Sequence, residues 1–369
     1  MPKPHDVVLS RRCNPGETAW VPPDFTFALG QNLVLLRASG HTVYPPFLRW
    51  LVRSPEWWSQ IQQHLNAGAV FDSLKCADIP KFTLPIPSFT DQRAIAGILG
   101  ALDDKIELNR KMSATLEAMA RALFKSWFVD FDPVRAKAEG RDTGLAPEIA
   151  ALFPDSFEDS ELGKIPAGWN LKAIAEVAFA SRATVNPLEF PGEIFEHYSI
   201  PAYDINRGAI LERGASIKSS KFLVLQGTVL LSRLNPRTPR VVMPSAIGQR
   251  RAICSTEFAV MRPKIYSKEW LYCLFFSEMF CDKFATMVTG TSGSHQRVKP
   301  ESLLGMLTVA PSERAVEIFT EGAGALLARI AFARTESLTL TLLRDALLPK
   351  LISGEIRITD AEHIVEKSA

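Results

Sequence analysis

The sequence lacks the features that would place it outside the cell, in a membrane or around a metal ion. Its 369 residues include only five cysteines, with no Cys-x-x-Cys pair, and six dispersed histidines, so neither a disulfide framework nor a structural metal site is expected. No apolar run approaches the roughly 20 residues that a bilayer-spanning helix needs. Because the N-terminus also carries no secretory signal, we expect a cytoplasmic chain that does not contact a membrane.

Motifs of the common catalytic folds are also missing. There is no Gly-x-Gly-x-x-Gly after a strand, no P-loop, no His-Glu-x-x-His and no Gly-x-Ser-x-Gly. Asn14-Pro15 and Asn235-Pro236 resemble the start of an amino-methyltransferase motif, but the residues that follow do not complete it, which favours turns. Asp103 and Asp104 are adjacent in a helical pattern and point differently, which favours a solvated face over a catalytic dyad. The sequence therefore predicts a chain without catalytic residues.

What the chain does have is an internal repeat. The segment 7–15 is echoed by 229–236, and 84–88 has its counterpart in 308–312. The offsets, 222 or 221 residues for the first pair and 224 for the second, agree closely. Agreement of this kind predicts two copies of one structural unit.

A long helical pattern follows each copy of the repeat. Apolar residues recur at three- and four-residue spacing from 90 to 129 and again from 316 to 351. Narrow apolar seams favour an antiparallel coiled coil between the two helices. Two unrelated surface helices, each packed on its own domain, are the alternative. Asn109 falls on an otherwise apolar position, where it either fixes the register or lies at a solvated rim.

The segment before each helix has a mixed pattern. Strands are predicted at 222–232, 240–243 and 258–261, and aromatic-rich helices at 268–286 and 46–65. Residues 130–166 are rich in Pro, Asp and Glu, with one short apolar helix, and predict a connector. The expected fold class is α+β: two globular mixed α/β domains separated by two long helices that form an antiparallel coiled coil, in a pseudo-twofold repeat.

Basic charge is concentrated locally, although the net charge is only +2. No acidic residue occurs between Glu212 and Glu257, or from 283 to 300. Arginine forms bidentate hydrogen bonds with guanine edges and phosphates, and glutamine does so with adenine. These intervals therefore favour DNA contact over an ordinary solvated or salt-bridged surface. The candidate DNA-binding residues are Arg233, Arg237, Arg240, Arg250, Arg251, Ser294, His295, Gln296, Arg297 and Lys299, with Arg11 and Arg12 in the first copy.

Several long strings resemble a known family. They are Leu-Phe-Lys-Ser-Trp-Phe-Val-Asp-Phe-Asp-Pro-Val-Arg at 123–135, Leu-Phe-Pro-Asp-Ser-Phe-Glu-Asp-Ser-Glu-Leu-Gly-Lys-Ile-Pro-Ala-Gly-Trp at 152–169, Pro-Ser-Phe-Thr-Asp-Gln at 87–92 and Leu-Leu-Pro-Lys-Leu-Ile-Ser-Gly-Glu-Ile at 347–356. These strings resemble the specificity subunits of type I restriction-modification systems, and the similarity spans nearly the whole chain.

The resemblance implies a domain plan and a set of partners. It places a first target recognition domain at 1–88, a central conserved helix at 89–129, the connector at 130–166, a second target recognition domain at 167–312, a C-terminal conserved helix at 313–352 and a tail at 353–369. Each recognition domain would read half of a split site in double-stranded DNA. The expected protein partners are two methyltransferase subunits and two restriction and translocase subunits. S-adenosylmethionine, ATP and Mg would be bound by those partners, and no cofactor by this chain.

The two copies differ in length. About sixty residues separate Trp169 from Leu231 in the second copy, whereas Leu9 stands almost at the start of the first. The first recognition domain is therefore expected to be N-terminally shortened by roughly fifty residues. The alternatives to a working DNA-recognition subunit are a coiled-coil scaffold that binds protein, and a non-functional truncated remnant of a specificity subunit.

Overall fold

The structure, a computed structural model of the chain, describes residues 1–66, 72–244, 250–289 and 296–368. It divides into two compact units. The first unit comprises Met1–Asn109 and Glu336–Ala369, and the second comprises Arg110–Thr335. Each unit thus includes a segment of both long helices.

The elements follow one another along the chain with short connections. The first are β1 (Val7–Ser10), β2 (Thr18–Trp20), β3 (Leu33–Leu36), α1 (Leu48–Leu51), α2 (Pro55–His64), β4 (Leu65–Asn66), β5 (Ser73–Leu74) and α3 (Phe89–Phe128). Next come α4 (Asp132–Ala138), α5 (Pro147–Ala150), β6 (Phe157–Ser160), β7 (Gly163–Pro166), β8 (Asn170–Ala173), α6 (Ile174–Val177), β9 (Ala178–Ser181), β10 (Thr184–Val185), β11 (Ile194–Tyr198), α7 (Ile200–Asn206), β12 (Ile210–Arg213), β13 (Lys221–Leu223), β14 (Val229–Ser232), β15 (Val241–Val242), β16 (Ala252–Cys254) and β17 (Phe258–Pro263). The last are α8 (Lys268–Phe276), α9 (Glu278–Thr286), β18 (Val288–Thr289), β19 (Arg297–Val298), α10 (Pro300–Leu304), β20 (Leu307–Ala310), α11 (Glu313–Ser353) and α12 (Ile358–Ser368).

The globular part of the first unit is built on a small antiparallel sheet. Its strand order is β2-β1-β3, so the apolar strand β1 lies in the centre. Leu9 of this strand is fully buried and clusters with Trp57 and Ile61 of α2 and with Leu74 of β5. Burial of these side chains holds the α1–α2 helices against the strands.

The second unit contains two larger sheets. One has the order β10-β13-β16-β11-β12, with β11 and β16 parallel, and the other has the order β15-β14-β17-β9. Strand β20 pairs with β8 in a separate two-stranded sheet, so the segment that leads into α11 is anchored before the helix begins.

Aromatic side chains fill the core of the second unit next to the long helices. Phe124 and Phe128 of α3 lie 5.7 Å and 5.4 Å, between ring centroids, from Phe319 of α11. Phe153 and Trp169 pack into the same cluster. The predicted connector, residues 130–166, forms the helices α4 and α5 and the hairpin β6–β7. Because its residue Phe153 is part of this core, the connector belongs to the second unit.

Within each unit the two long helices run antiparallel. In the first unit Asp103 accepts a 2.6 Å hydrogen bond from Arg344, and Asn109 donates one of 2.6 Å to Glu336. In the second unit Glu117 lies 3.8 Å from Arg334. As residue numbers rise on α3 they fall on α11, which confirms the predicted antiparallel pairing. None of the helices in the described ranges has the length and apolar character that crossing a bilayer demands.

Asn109 occupies a buried position between the helices. Its side chain is 2% exposed, and its amide donates to Glu336 and, at 3.4 Å, to Ser337. A solvated rim position is therefore wrong. A buried amide that needs a polar partner on the facing helix penalises any shift in pairing, which is how one polar residue fixes a register.

The long helices begin with the same kind of cap, as the repeated Pro-Ser pairs suggest. The Ser88 side chain accepts from the backbone N–H of Asp91 at 3.1 Å, and that of Ser312 accepts from Ala315 at 3.3 Å. Such caps satisfy backbone donors that lack a partner inside the helix.

Two predicted elements are each divided in the structure. The helix expected at 268–286 is two helices, because Ser277 adopts an extended conformation and caps α9 through the N–H of Phe280. Ser54 divides 46–65 in the same way. The strand expected at 222–232 is two strands, since Gly227 has φ +79° and turns the chain between them.

Candidate nucleic-acid interface

The two copies of the repeat build the same backbone scaffold around an arginine. In the second unit the carbonyl of Arg233, just after β14, accepts from Val298 at 3.0 Å. In the first unit the carbonyl of Arg11, just after β1, accepts from Leu74 at 2.8 Å. In both cases the next segment turns through a residue with positive φ, Asn235 and Cys13 respectively. The repeat seen in the sequence is thus a repeated strand, turn and hairpin.

Arg233 supports this scaffold with its own side chain. Its Nη2 donates to the carbonyl of Thr256 at 2.6 Å, and its Nη1 to that of Val298 at 3.4 Å. Burial lowers the pKa of Arg233, and nearby Glu257 opposes that effect. The guanidinium therefore ties the loop before β17 to β19 and is only half-buried.

Three other candidate arginines are each held by one carboxylate. Arg297 donates from Nε and Nη2 to Glu257 at 2.9 and 2.6 Å. Arg240 donates from the same two nitrogens to Asp204 at 2.7 and 3.0 Å. Arg251 does so to Glu193, with an Nε distance of 3.0 Å. The hydrogen bond that Arg251 donates to Glu193 raises the pKa of Arg251. The fold therefore brings carboxylates from outside the acid-free intervals next to the arginines that lie within them.

The three pairs differ in accessibility. The side chain of Arg240 is only 13% exposed, and its Nη1 is buried without a hydrogen-bond partner among the residues that the structure describes. Arg251 is 36% exposed and Arg297 is 52% exposed. Arg240 is thus part of the packed interior of the unit, while the other two reach its surface.

The remaining candidates are scattered over the same unit or lie in the first. Arg237, Arg250 and Lys299 are exposed, and none of the three has an ion pair within the described part of the chain. Gln296 accepts through its backbone carbonyl from Asn235 at 2.9 Å. In the first unit Arg11 donates to the carbonyl of Gln31 at 3.1 Å and Arg12 is exposed. Ser294 and His295 lie outside the described residues.

The acids that hold these arginines are the residues that sequence reasoning missed. Asp204 and Glu193 lie 36 and 58 residues before their partners in the chain. Of the three acids, only Glu257 had a sequence signal, since it lies at the border of the acid-free interval. Pairings over such separations depend on strand order, which the local pattern does not contain.

A close backbone approach positions the loop that carries Glu193. Gly214 donates its N–H to the Glu193 carbonyl at 2.9 Å. A Cβ at Gly214 would lie 2.2 Å from the carbonyl oxygen of Phe190 and 2.6 Å from that of Pro187. No side chain larger than hydrogen fits there without moving the loop.

Gly214→Ala is therefore expected to displace the loop 187–193 and to lower the free energy of unfolding by about 1–3 kcal/mol, the range of overpacked sites. Thermal unfolding of the full chain measures this effect. Gly192→Ala is the matched control, because a Cβ at Gly192 meets no atom within 4 Å. Equal melting temperatures for the two variants would contradict the proposed steric role of Gly214.

Comparison with known proteins gives these residues a context. The family model described as "Type I restriction modification DNA specificity domain" matches residues 2–118. The chain is 24% identical over 413 residues to the HindI specificity subunit of Haemophilus influenzae, covering 96% of this chain and 87% of that protein. It is also 24% identical over 319 residues to the MjaIX specificity subunit of Methanocaldococcus jannaschii, covering 82% and 67%. The sequence is thus similar to type I restriction-modification specificity subunits along most of its length, and residues 2–118 match the DNA specificity domain.

A solved structure agrees at the level of the fold. The type I restriction-modification S subunit from M. genitalium has a TM-score of 0.51 and 13% sequence identity, over 95% of this chain and 83% of that one. The match to a DNA specificity domain makes a surface that can contact DNA the candidate site of this chain.

Proposed function

We propose that this chain is a DNA-specificity subunit of a type I restriction-modification system and that it recognises a bipartite target in double-stranded DNA, with one recognition domain for each part. The repeated strand, turn and hairpin carries this proposal, because both units present arginines from the same backbone scaffold. Two copies of one DNA-contacting scaffold are suited to a target with two separate parts. The long helices that follow the two copies have 40 and 41 residues.

The proposal extends to partner subunits that dock on the long helices. Both helices expose large apolar side chains: Leu108 and Leu342 in the first unit, and Met119 and Phe332 in the second, are 51–59% exposed. Such side chains can contribute apolar contacts to a surface that binds another protein. We assign them to two methyltransferase subunits, with two restriction and translocase subunits completing the assembly. S-adenosylmethionine, ATP and Mg are assigned to those partners and none to this chain.

DNA binding is tested by titrating the full chain onto duplex DNA of mixed sequence at 50 and 200 mM salt. Affinity is expected to fall steeply, because each phosphate neutralised contributes about 0.9 to the slope of log affinity against log salt. Arg237→Ala removes an exposed cation without an ion pair in the described chain, so the slope should decrease by about 1 while partner assembly persists. An affinity that does not depend on salt would contradict DNA recognition.

The exposed apolar residues also favour a second candidate function, a scaffold that binds only protein. The same titration separates the two, since a scaffold has no reason to bind DNA with a salt-dependent affinity. Methylome sequencing of cells with and without the chain separates both from an inactive remnant. A bipartite methylated adenine motif that disappears with the chain is expected from a working subunit.

A further inference from the structure

The three arginine–carboxylate pairs of the second unit share one geometry. In each pair the carboxylate binds the side edge of the guanidinium, through Nε and Nη2. The end edge, formed by Nη1 and the outer N–H of Nη2, is not used by the carboxylate. A guanidinium held in this way keeps two parallel donors in a fixed direction.

Arg251 combines this geometry with accessibility. Its side chain is 36% exposed, and its Nη1 forms no hydrogen bond with any residue that the structure describes. Its central carbon lies 4.1 Å from the centroid of the Phe190 ring and 5.4 Å from that of Phe195, so cation–π contacts hold the guanidinium in addition to Glu193.

The backbone on both sides of this pair is anchored to neighbouring strands. Glu193 immediately precedes β11 and Arg251 immediately precedes β16, and these two strands are parallel neighbours in the five-stranded sheet. The N–H of Glu196 donates to the Arg251 carbonyl at 3.1 Å, and that of Gly214 to the Glu193 carbonyl at 2.9 Å. Both partners thus lie at the N-terminal ends of two neighbouring parallel strands, at the same end of the sheet.

We infer that Glu193 is a positioning residue for sequence recognition and that it directs the end edge of Arg251 towards a guanine in the major groove. This inference rests on the proposed function. Guanine offers two acceptors, O6 and N7, at the spacing that two parallel N–H donors match. Bidentate contacts of this kind discriminate against the wrong base by about 1–3 kcal/mol, which is about 5- to 150-fold.

The charge of the pair favours a base edge over a phosphate. Because Glu193 neutralises Arg251 at hydrogen-bonding distance, an anionic phosphate would meet a pair with no net charge and a carboxylate nearby. A neutral guanine edge meets no such repulsion. Glu193 therefore lowers the affinity of Arg251 for the DNA backbone while it preserves the contact that reads sequence.

The test selects bound molecules from a pool of duplex DNA with randomised positions, with the full chain as the binding protein, and sequences them. Arg251→Ala should abolish a guanine preference at one base pair, by about 5- to 150-fold. Glu193→Gln should weaken the same preference by about fivefold or more and raise binding to the unselected pool. The double variant should resemble Arg251→Ala at that base pair, because a positioning residue acts only through its partner.

Two further variants serve as controls. Glu189→Gln removes one charge from the same loop, from an exposed side chain that bonds Asn186 and no arginine, and should leave every preference unchanged. Glu193→Asp keeps the charge but shortens the reach, so it should weaken the guanine preference without raising binding to the pool. Melting temperatures of all variants show whether each one is folded.

Four results would overturn the inference, and one of them also overturns the proposed function. Uniform weakening by Arg251→Ala would identify a phosphate contact. An intact preference in a folded Glu193→Gln variant would show that Glu193 does not position Arg251. Changes at many base pairs in that variant would indicate a general structural role. If the wild-type chain enriches no motif from the pool, the proposed DNA recognition itself fails.

Discussion

Phe319→Ala is expected to lower the free energy of unfolding of the second unit by about 3–5 kcal/mol, the usual cost of deleting a buried aromatic ring. Phe319 is fully buried on α11 and contacts Phe124 and Phe128 of α3. Its loss leaves a cavity between the two long helices. Urea denaturation followed by tryptophan fluorescence measures the change, since Trp127 lies 6.5 Å from the Phe319 ring.

Phe332→Ala is the matched control for this experiment. It removes the same side chain from the same helix, at a position that is 59% exposed. Because little apolar surface is buried there, its effect on the free energy of unfolding should be within about 0.5 kcal/mol. Similar losses in the two variants would show that the aromatic cluster does not hold the helices together.

Asp103→Asn is expected to destabilise the first unit by about 2–4 kcal/mol, since it leaves several partly buried cations without their counter-charge. Asp103 accepts from Arg344 at 2.6 Å and lies 3.7 Å from Arg49. Burial lowers the pKa of Arg49 and of Arg53, and the charge of Asp103 opposes this effect on both. Thermal unfolding of the full chain measures the loss.

Asp104→Asn provides the comparison for Asp103. The two residues are adjacent on α3, but Asp104 is exposed whereas the side chain of Asp103 is 21% exposed. The same chemical change at Asp104 should shift the free energy of unfolding by less than about 0.5 kcal/mol. If Asp104→Asn destabilised the chain as much as Asp103→Asn, the loss would reflect the charge of the helix rather than the pairing with Arg344.

Features with a local or periodic cause could be predicted from the sequence. The apolar spacing predicted the long helices within three residues at each end, because this spacing is a local signal. The antiparallel pairing was predicted because each long helix carries a narrow apolar seam, which the other helix can bury. The repeat was visible because both copies keep Val-x-Leu-Ser or a close variant at the central strand.

Features that depend on tertiary partners could not be predicted. The expected solvated face holds for Asp104 and is wrong for Asp103, because Arg344 approaches it from a helix 241 residues away in sequence. The candidate arginines looked alike in the sequence, yet Arg233 binds backbone carbonyls and Arg240 is packed inside. Which cation is exposed is decided by strand order and packing, and neither leaves a signal in local composition.

The carboxylate partners also bear on how such a protein would search a genome. A cation that is already paired with a carboxylate releases few counterions from DNA when it binds. Such cations therefore add little to the non-specific affinity for DNA. A chain with fewer bare cations leaves ordinary DNA sooner, and its dwell time is then set by contacts that only the target can complete. Glu193 and Glu257, whose arginine partners reach the surface, would thus shorten the time that the protein spends bound to sites that are not targets.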